Sequence, residues 1–372
     1  MKIGIIGSYN YTVPAEGGKI HAPLYLTWEL AKKLADFGHS ITYFGTVAEG
    51  TKEKFPNINF RNPEYFEIDD GIKNTPGTEG VWQQAKIIYQ QGYLAKVLKE
   101  SADFDLFYSW AASQIGPLAV MCNKPVVCTH HDSTNMDRYN LMFRSFTAEN
   151  VFIIPISKYL QSKINYDNML DVVHHGVDPE KIKFLEPKDY YCWVGRVTPS
   201  KGLRQAIEIA IRAGIKLKIA GPMYDKLPDF GDISQYNEKI KKLIADNENI
   251  EYLGHLTQEE SYEVISEAKA LIFPTDGMES FSMITIESLI AGTPVIATDK
   301  GPLPELIAPG LNGYLIEDEN NIDGFVEAIK KIGDIDRRVC REDAIKRFSV
   351  EKMSKGYEKQ FEIAINKWNK NA

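Results

Sequence analysis

Short apolar segments typical of β-strands alternate with longer amphipathic segments typical of helices, and this alternation occurs twice along the chain. Lys2–Ile6 is an apolar run closed by Gly7, and residues 21–37 then place leucines on one face of a helix. Gly38 suits the end of that helix, and Ser40–Phe44 is the next predicted strand. Further strands are predicted at 106–108, 126–129 and 152–155. Such alternation predicts a parallel sheet covered by helices on both faces.

The pattern lapses at residues 176–187, GVDPEKIKFLEP, which we interpret as a linker. A strand from residue 190 and a helix at Leu203–Ala213 then open a second series. Its other predicted elements are 216–220, 237–246, 250–253, 259–268, 270–273, 283–291 and 295–297. A last helix, 349–368, carries an apolar stripe that must lie on another surface. We therefore predict doubly wound domains at 1–182 and 188–345 around a central cleft, followed by a terminal helical segment, 346–372.

Composition excludes several classes of protein. A length of 372 residues favours two domains, and 43 Lys and Arg against 51 Asp and Glu give a net charge of −8, which disfavours nucleic acid as a partner. The four cysteines lie far apart, as in a reducing cytosol, and the first residues lack the apolar core of a signal peptide. No run is long enough to span a membrane. We expect a cytoplasmic protein, with peripheral membrane contact left open.

The most informative segment is LIFPTDGMESFSMITIESLIAGTPVIAT, in which a strand ends at Pro274 and a helix begins near Ser282. Glu279 lies in the intervening loop and Glu287 on the helix, a spacing that could span a sugar nucleotide from hexose to ribose. The start of the helix, with Ser280 or Ser282 as cap, suits an anion such as a diphosphate. The alternative is a solvated loop and an ordinary helix surface, but the apolar neighbours of Glu287 predict partial burial and a polar partner.

Two cations follow another predicted strand, in the segment WVGRVTPSKG. Arg196 and Lys201 are placed to meet the two charges of a diphosphate, Arg as a fork and Lys as a compact charge. The alternative is a basic turn at the sheet edge. The segment is not a phosphate-binding P-loop, because its G-x-x-x-x-G-K-[ST] pattern is absent.

Paired glycines occur in the first strand-to-helix loop. Gly17 and Gly18 would let backbone N–H groups approach an oxygen closely, although they are also ordinary loop residues. No G-x-G-x-x-G follows the first strand, so a nicotinamide-dependent oxidoreductase loses its main support.

Histidines stand at two further points. His131, with His130 as the alternative, follows a predicted strand and precedes Asp132, where it could exchange protons in the cleft or serve only as a structural hydrogen-bonding residue. His174 and His175 form a second pair, but no Cys or carboxylate stands at ligand spacing. We therefore predict no metal site.

Taken together, these segments resemble the retaining glycosyltransferases of the GT-B fold, and within them glycosyltransferase family 4. The resemblance covers nearly the whole chain and includes the glycine pair, the strand-end histidine, HGVD at 175–178, GRVTPSKG at 195–202 and the E-x7-E glutamates. The run GTPVIATDKGPLPELI adds Glu305 in the family's acidic place, whereas His175 stands where the family commonly has Asn. The terminal helix resembles the crossover helix that returns to the first domain.

The resemblance also implies roles for individual residues. Glu279 would contact hydroxyls of the donor sugar, Glu287 the ribose, and His131 the region of the anomeric carbon. Arg196 and Lys201 would hold the diphosphate. The backbone N–H groups of three residues would meet sugar and phosphate oxygens: Ser280, Phe281 and Ser282.

The implied reaction transfers a hexose from a nucleotide-diphosphate sugar, with UDP as the expected nucleotide, to an acceptor hydroxyl with retention of configuration. It needs no metal or other cofactor, and the departing diphosphate takes the proton of the acceptor. The alternatives are a GT-B epimerase or phosphorylase, and a sugar-nucleotide-binding subunit without activity. The acceptor is a sugar, a lipid-linked molecule or another small molecule, expected on the first domain, where 49–80 and 135–146 look like long loops. Within the second of these, Phe143, Arg144 and Phe146 face either lipid or, as we expect, the interior.

Overall fold

The computed structural model describes residues 1–8, 11–14, 22–61, 79–133, 136–146, 148–227 and 230–371. They form two compact units. The first comprises Met1–Ile156, Leu160–Val173 and Met353–Ala372, and the second comprises Ser157–Tyr159 and His174–Lys352.

The first unit is built on a six-stranded parallel sheet whose order is β3-β2-β1-β4-β5-β6. Its strands are β1 Lys2–Ile6, β2 Ser40–Phe44, β3 Ile58–Arg61, β4 Leu106–Ser109, β5 Val126–His130 and β6 Val151–Pro155. The helices are α1 Ala22–Asp36, α2 Thr51–Lys54, α3 Glu79–Lys99, α4 Ala112–Ala119, α5 Met136–Ser145 and α6 Lys158–Gln161, the last of which begins in the second unit. Apart from the edge strand β3, which is partly exposed, the strands are almost wholly buried, as expected for a sheet covered on both faces.

The second unit repeats this plan. Its parallel sheet has the order β11-β8-β7-β12-β13-β14, and a two-stranded antiparallel ribbon, β9-β10, lies apart from it. The strands are β7 Tyr191–Val194, β8 Leu217–Ala220, β9 Lys226–Leu227, β10 Gly231–Asp232, β11 Ile250–Gly254, β12 Leu271–Phe273, β13 Val295–Thr298 and β14 Gly313–Ile316. The helices are α7 Leu203–Ala213, α8 Ser234–Ala245, α9 Gln258–Ser266, α10 Met283–Ile290, α11 Leu303–Leu306, α12 Ile322–Lys331, α13 Arg337–Phe348 and α14 Val350–Asn371, the last of which continues into the first unit.

Both sheets have the same topology. When only the strands of each six-stranded sheet are numbered along the chain, both sheets have the order 3-2-1-4-5-6. The direction of winding therefore reverses between the first strand and the fourth. The predicted fold class, two doubly wound parallel-sheet domains, is therefore confirmed. In such sheets ligands bind at the carboxyl ends of the strands that flank this reversal. In the second unit these strands are β7 and β12, which pair directly.

Two segments that the sequence suggested were long loops contain regular structure. Residues 49–80 include α2, β3 and the start of α3, and residues 135–146 include α5. The helix α5 forms because its aromatic residues recur at helical spacing and pack inward. Phe143 and Phe146 are buried against Tyr166, which confirms that these two face the interior. The same expectation is wrong for Arg144, whose charged side chain is exposed.

The terminal helix α14 covers the predicted segment and extends it slightly at its carboxyl end. Its stripe of Met353, Tyr357 and Phe361 is buried, as the fourfold spacing predicts. The Tyr357 hydroxyl lies 2.9 Å from Oγ1 of Thr129, at the end of β5. From Met353 onward this helix therefore packs within the first unit.

Candidate active site

The loops that follow β7 and β12 are joined by two hydrogen bonds to one backbone carbonyl. The carbonyl of Ser200 accepts a hydrogen bond from Oγ1 of Thr275 at 2.9 Å and another from the N–H of Asp276 at 3.1 Å. Both strands are parallel neighbours, so their carboxyl ends lie at the same edge of the sheet. The chain between Val194 and Leu203 and the chain between Phe273 and Met283 therefore form one layer at this edge.

A glycine is required where the two loops meet. Gly202 has a φ of 68°, and a Cβ atom built on it would lie 1.8 Å from the carbonyl oxygen of Pro274. Only a residue without a side chain fits this close approach in the left-handed region. Gly202 is also the N-cap residue of α7. Because Gly202 lies against Pro274, the preceding residue, Lys201, lies close to the second loop.

The two loops bring Lys201 and Glu279 together. Nζ of Lys201 lies 2.5 Å from Oε1 of Glu279, and the side chains are 25% and 12% exposed. Arg196 differs, because it is exposed and makes no ion pair within the described part of the chain. The two predicted cations thus have different environments, one neutralised by a carboxylate and one facing solvent.

The helix α10 begins as the sequence predicts, with one of the two expected cap residues at its start, but that side chain does not cap a backbone N–H. Ser282 occupies the N-cap position, and its hydroxyl lies 2.8 Å from Oγ1 of Thr285 instead of accepting from a backbone N–H. Because the first N–H groups of a helix lack partners within it, a partner of negative charge suits this end. Since the helix begins only at Met283, Glu279 is not part of it, and the helical rise does not set its separation from Glu287.

Glu287 lies on α10 and is half-buried. Its Oε1 accepts a long hydrogen bond of 3.5 Å from the hydroxyl of Tyr262, which in turn lies 2.7 Å from Nε2 of Gln258. Burial raises the pKa of Glu287 to about 7, against the lowering effect of the Tyr262 hydroxyl. The expectation that Glu287 is partly buried with a polar partner is confirmed.

A third carboxylate, Glu305, binds the backbone of a neighbouring segment. Its Oε2 accepts from the N–H of Lys158 at 2.8 Å and its Oε1 from the N–H of Tyr159 at 2.7 Å, while Nε2 of His174 lies 3.1 Å from Oε2. Burial alone would raise the pKa of Glu305, but these hydrogen bonds outweigh it, and the pKa lies below its ordinary value. The charged form of Glu305 is therefore stabilised by two backbone N–H groups and by His174.

The same region holds the backbone of the 280–282 segment. Oγ of Ser157 donates to the carbonyl of Ser280 at 2.8 Å, and the ring of His174 lies 5.7 Å from that of Phe281. His175 packs edge-on against Phe281 at 5.1 Å, and burial lowers the pKa of His175 to about 3. The departure from the family's Asn at this position thus places a neutral, buried ring beside Phe281.

The first unit carries the predicted histidines. His130 ends β5 and is buried between Tyr139 and Phe143, with ring centroids 4.6 and 5.2 Å away. Burial lowers its pKa to about 4, although Asp132 acts in the opposite direction. His131 is half-buried, and its Nε2 atom is itself buried. Gly17 and Gly18 lie outside the described residues.

Two residues that contact this site are absent from the sequence-based predictions. Ser157 lies 123 positions before Ser280, and Tyr262 lies 25 positions before Glu287 on a different helix. No local spacing relates either pair, so only the tertiary structure reveals them. The sequence motif that contains Glu305 marks its position in the chain, but it does not reveal that Lys158 and Tyr159 are its backbone partners.

Two other features are absent from the described residues. No group of three or more histidine, cysteine or acidic side chains is arranged to hold a metal ion. None of the described helices combines the length and the apolar character needed to cross a membrane.

Residues 176–347, just under half of the chain, match the family model described as glycosyl transferases group 1. An uncharacterised glycosyltransferase of Methanocaldococcus jannaschii is 28% identical over 350 residues, which are 90% of this chain and 92% of that protein. Among solved structures, AviGT4, a glycosyltransferase involved in avilamycin A biosynthesis, is 16% identical with a TM-score of 0.69 over 98% of both chains. The Anabaena protein HepE in complex with UDP is also 16% identical, with a TM-score of 0.69 over 96% of this chain and 99% of that one. These likenesses support a glycosyltransferase of the GT-B fold.

Proposed function

We propose that the protein is a retaining glycosyltransferase of family 4 that transfers a hexose from a nucleotide-diphosphate sugar to an acceptor hydroxyl. The observation that carries this proposal is the pairing of Lys201 with Glu279 beside the start of α10. A cation, a carboxylate that can bind hydroxyls and the N–H groups at the start of a helix are the parts needed to bind a sugar diphosphate. The family match, 176–347, includes all of them.

In this proposal the charge of the donor is met by the protein. Lys201, Arg196 and the N–H groups of Ser280, Phe281 and Ser282 stabilise the diphosphate as it leaves, so no metal is required. Glu287 binds the ribose hydroxyls. UDP is the proposed nucleotide, because the similar Anabaena protein was solved with UDP.

The proposed chemistry is a front-face displacement. The bond from the anomeric carbon to the diphosphate oxygen breaks, and the bond to the acceptor oxygen forms on the same face. The acceptor proton passes to the departing diphosphate, so the products are the glycoside and the nucleoside diphosphate. Glu279 orients the sugar through its hydroxyls, and His131 lies near the anomeric carbon. The acceptor is a sugar, a lipid-linked molecule or another small molecule.

The test is a panel of UDP-, GDP- and ADP-hexoses incubated with the protein, first alone and then with candidate acceptors, with products followed by proton NMR. We expect slow hydrolysis of one donor without acceptor, and a product with the donor's anomeric configuration. Inversion would overturn the retaining mechanism. Epimerised donor as the product, dependence on inorganic phosphate, or binding without turnover would each replace transfer by another function. Activity that survives EDTA would support metal independence, and activity restored only by a divalent cation would contradict it.

A further inference from the structure

We propose that Glu305 and Ser157 are positioning residues of the donor site, which hold the 280–282 segment in the conformation that receives the diphosphate sugar. This inference rests on the proposed function, because it takes that segment as part of the donor site. Neither side chain needs to contact the donor. Each would act through the backbone that it holds.

The first step is the attachment of the short segment Ser157–Tyr159. The two oxygens of Glu305 each accept one backbone N–H, from Lys158 and from Tyr159. Hydrogen bonds to an ionised carboxylate are stronger than those between neutral groups. With two of them on consecutive residues, both the position and the direction of this segment are fixed.

The second step is the contact between the segment Ser157–Tyr159 and the 280–282 segment. Ser157 immediately precedes Lys158, is fully buried, and donates its hydroxyl to the carbonyl of Ser280 at 2.8 Å. The carbonyl of Ser280 and the N–H of Phe281 belong to one peptide unit, which is planar and trans. They therefore point in opposite directions, and holding the carbonyl fixes where the N–H of Phe281 is aimed. That N–H is one of the three proposed to meet the donor.

The third step concerns the side chain of Phe281. Nε2 of His174 lies 3.1 Å from Oε2 of Glu305, and the His174 ring lies 5.7 Å from the Phe281 ring, which is 7% exposed. The same carboxylate thus fixes the ring that packs on Phe281. Glu305 reaches this residue by two routes, through Ser157 and the backbone and through His174 and the ring.

The chain supplies a matched control for a purely structural role. Asp336 lies in the same unit, caps α13, and also accepts two backbone N–H groups, from Arg338 at 2.8 Å and from Val339 at 3.4 Å. Both hydrogen bonds stay within the first turn of α13 and do not reach the 280–282 segment. Asp336→Ala therefore removes a comparable pair of hydrogen bonds to the backbone without affecting the 280–282 segment.

The experiment compares Glu305→Ala, Ser157→Ala and Asp336→Ala in the full-length chain. UDP affinity is measured by calorimetry, unfolding by denaturant titration, and backbone exchange at residues 280–282 by hydrogen–deuterium exchange. We expect the UDP dissociation constant to rise about tenfold in the first two variants, as loss of one buried hydrogen bond predicts. Exchange at 280–282 should become faster in both. Asp336→Ala should lower stability to a similar extent, yet bind UDP and exchange at 280–282 as the wild type does.

Wild-type affinity and wild-type exchange in Ser157→Ala and Glu305→Ala would overturn the proposal, as would equal effects in Asp336→Ala. If Glu305→Ala fails to fold, Ser157→Ala decides, because it removes one hydroxyl and leaves the volume almost unchanged. If the wild-type protein binds neither UDP nor another nucleoside diphosphate, the proposed function fails. The exchange measurement still reports whether Glu305 and Ser157 order the segment.

Discussion

Nζ of Lys201 and Oε1 of Glu279 lie 2.5 Å apart, so the side chains assigned to the diphosphate and to the sugar of the donor neutralise each other. A diphosphate that binds Lys201 must compete with Glu279 for the same cation. Part of the attraction between Lys201 and the phosphates is therefore offset by the cost of separating this ion pair. In the proposed function Glu279 would therefore have two opposed effects: it would weaken diphosphate binding and orient the sugar.

The substitution Glu279→Gln should separate these effects. Without the carboxylate, Lys201 is free to meet the diphosphate, and we expect UDP to bind as tightly as in the wild type or a few times more tightly. Turnover should fall roughly a hundredfold, because the sugar loses its orientation. Calorimetry with UDP and steady-state kinetics with the UDP-sugar measure the two effects.

A suitable control is Glu267→Gln, which removes the partner of Lys188 from an ion pair of 2.7 Å in the same unit. It should change neither quantity. UDP binding that weakens markedly in Glu279→Gln would contradict the competition argument and show that this carboxylate supports the diphosphate site.

Arg196 presents the opposite case, because it is exposed and has no ion pair among the described residues. Arg196→Ala should change the free energy of unfolding by no more than about 0.5 kcal/mol, as for most surface substitutions. Turnover should fall about a hundredfold or more through loss of charge stabilisation of the leaving diphosphate. Arg212→Ala, at an exposed arginine on α7 that pairs with Asp323, is the control and should leave turnover unchanged. An unchanged rate in Arg196→Ala would remove this residue from the site.

Glu287 links stability to function through its protonation. Burial raises its pKa from 4.5 in the unfolded chain to about 7, so the folded protein holds a proton that the unfolded chain loses. Folding stability should therefore fall as pH rises from about 4.5 to 7, by up to about 3 kcal/mol. Glu287→Gln removes this loss, so the variant should be more stable than the wild type at pH 8 and equally stable near pH 4.5.

The same substitution should weaken nucleotide binding. In the proposed function the ionised carboxylate of Glu287 accepts hydrogen bonds from the ribose hydroxyls, so wild-type affinity for UDP should increase as pH rises through 7, and this dependence should be weaker in Glu287→Gln. Denaturant titrations and calorimetry at several pH values measure both effects. Stability that is unchanged by Glu287→Gln at pH 8 would contradict the burial argument.

The burial of His130 should make folding stability depend more steeply on pH under acidic conditions. Burial lowers its pKa from 6.5 to about 4, so the unfolded chain binds a proton that the folded protein excludes between these values. Stability contributed by the neutral ring is present above pH 6.5 and is lost as pH falls toward 4, by up to about 3 kcal/mol. His130→Leu, which keeps the site apolar, should reduce this slope in urea titrations. His255→Leu, at an exposed position, should leave it unchanged. Identical slopes in His130→Leu and the wild type would contradict the assignment.

The doubly wound architecture was predictable because buried strands and amphipathic helices have strong periodicities, as in Lys2–Ile6 and Leu203–Ala213. The two loops that carry Lys201 and Glu279 were predictable as loops at strand ends, because each follows a short apolar run. The pairing of Lys201 with Glu279 was not, since it depends on side-chain positions that no spacing encodes. The contact of Ser157 with Ser280 was inaccessible for the same reason, and α5 was mistaken for a loop because its polar residues obscure the inward-facing aromatic ones.

The chain offers a direct test of how closely the two loops of the site must approach. Gly202 and Gly214 flank the same helix with nearly equal φ angles, 68° and 66°, but a Cβ on Gly202 would lie 1.8 Å from the carbonyl oxygen of Pro274, whereas a Cβ on Gly214 meets nothing within 4 Å. Gly214→Ala should therefore cost only the left-handed backbone penalty, about 1 to 2 kcal/mol. Gly202→Ala adds a backbone clash that only separation of the loops relieves, so it should cost more and also abolish UDP binding. Denaturant titration and calorimetry on both variants provide the comparison. Equal losses of stability with UDP affinity intact would mean that contact between these loops is not required for the site.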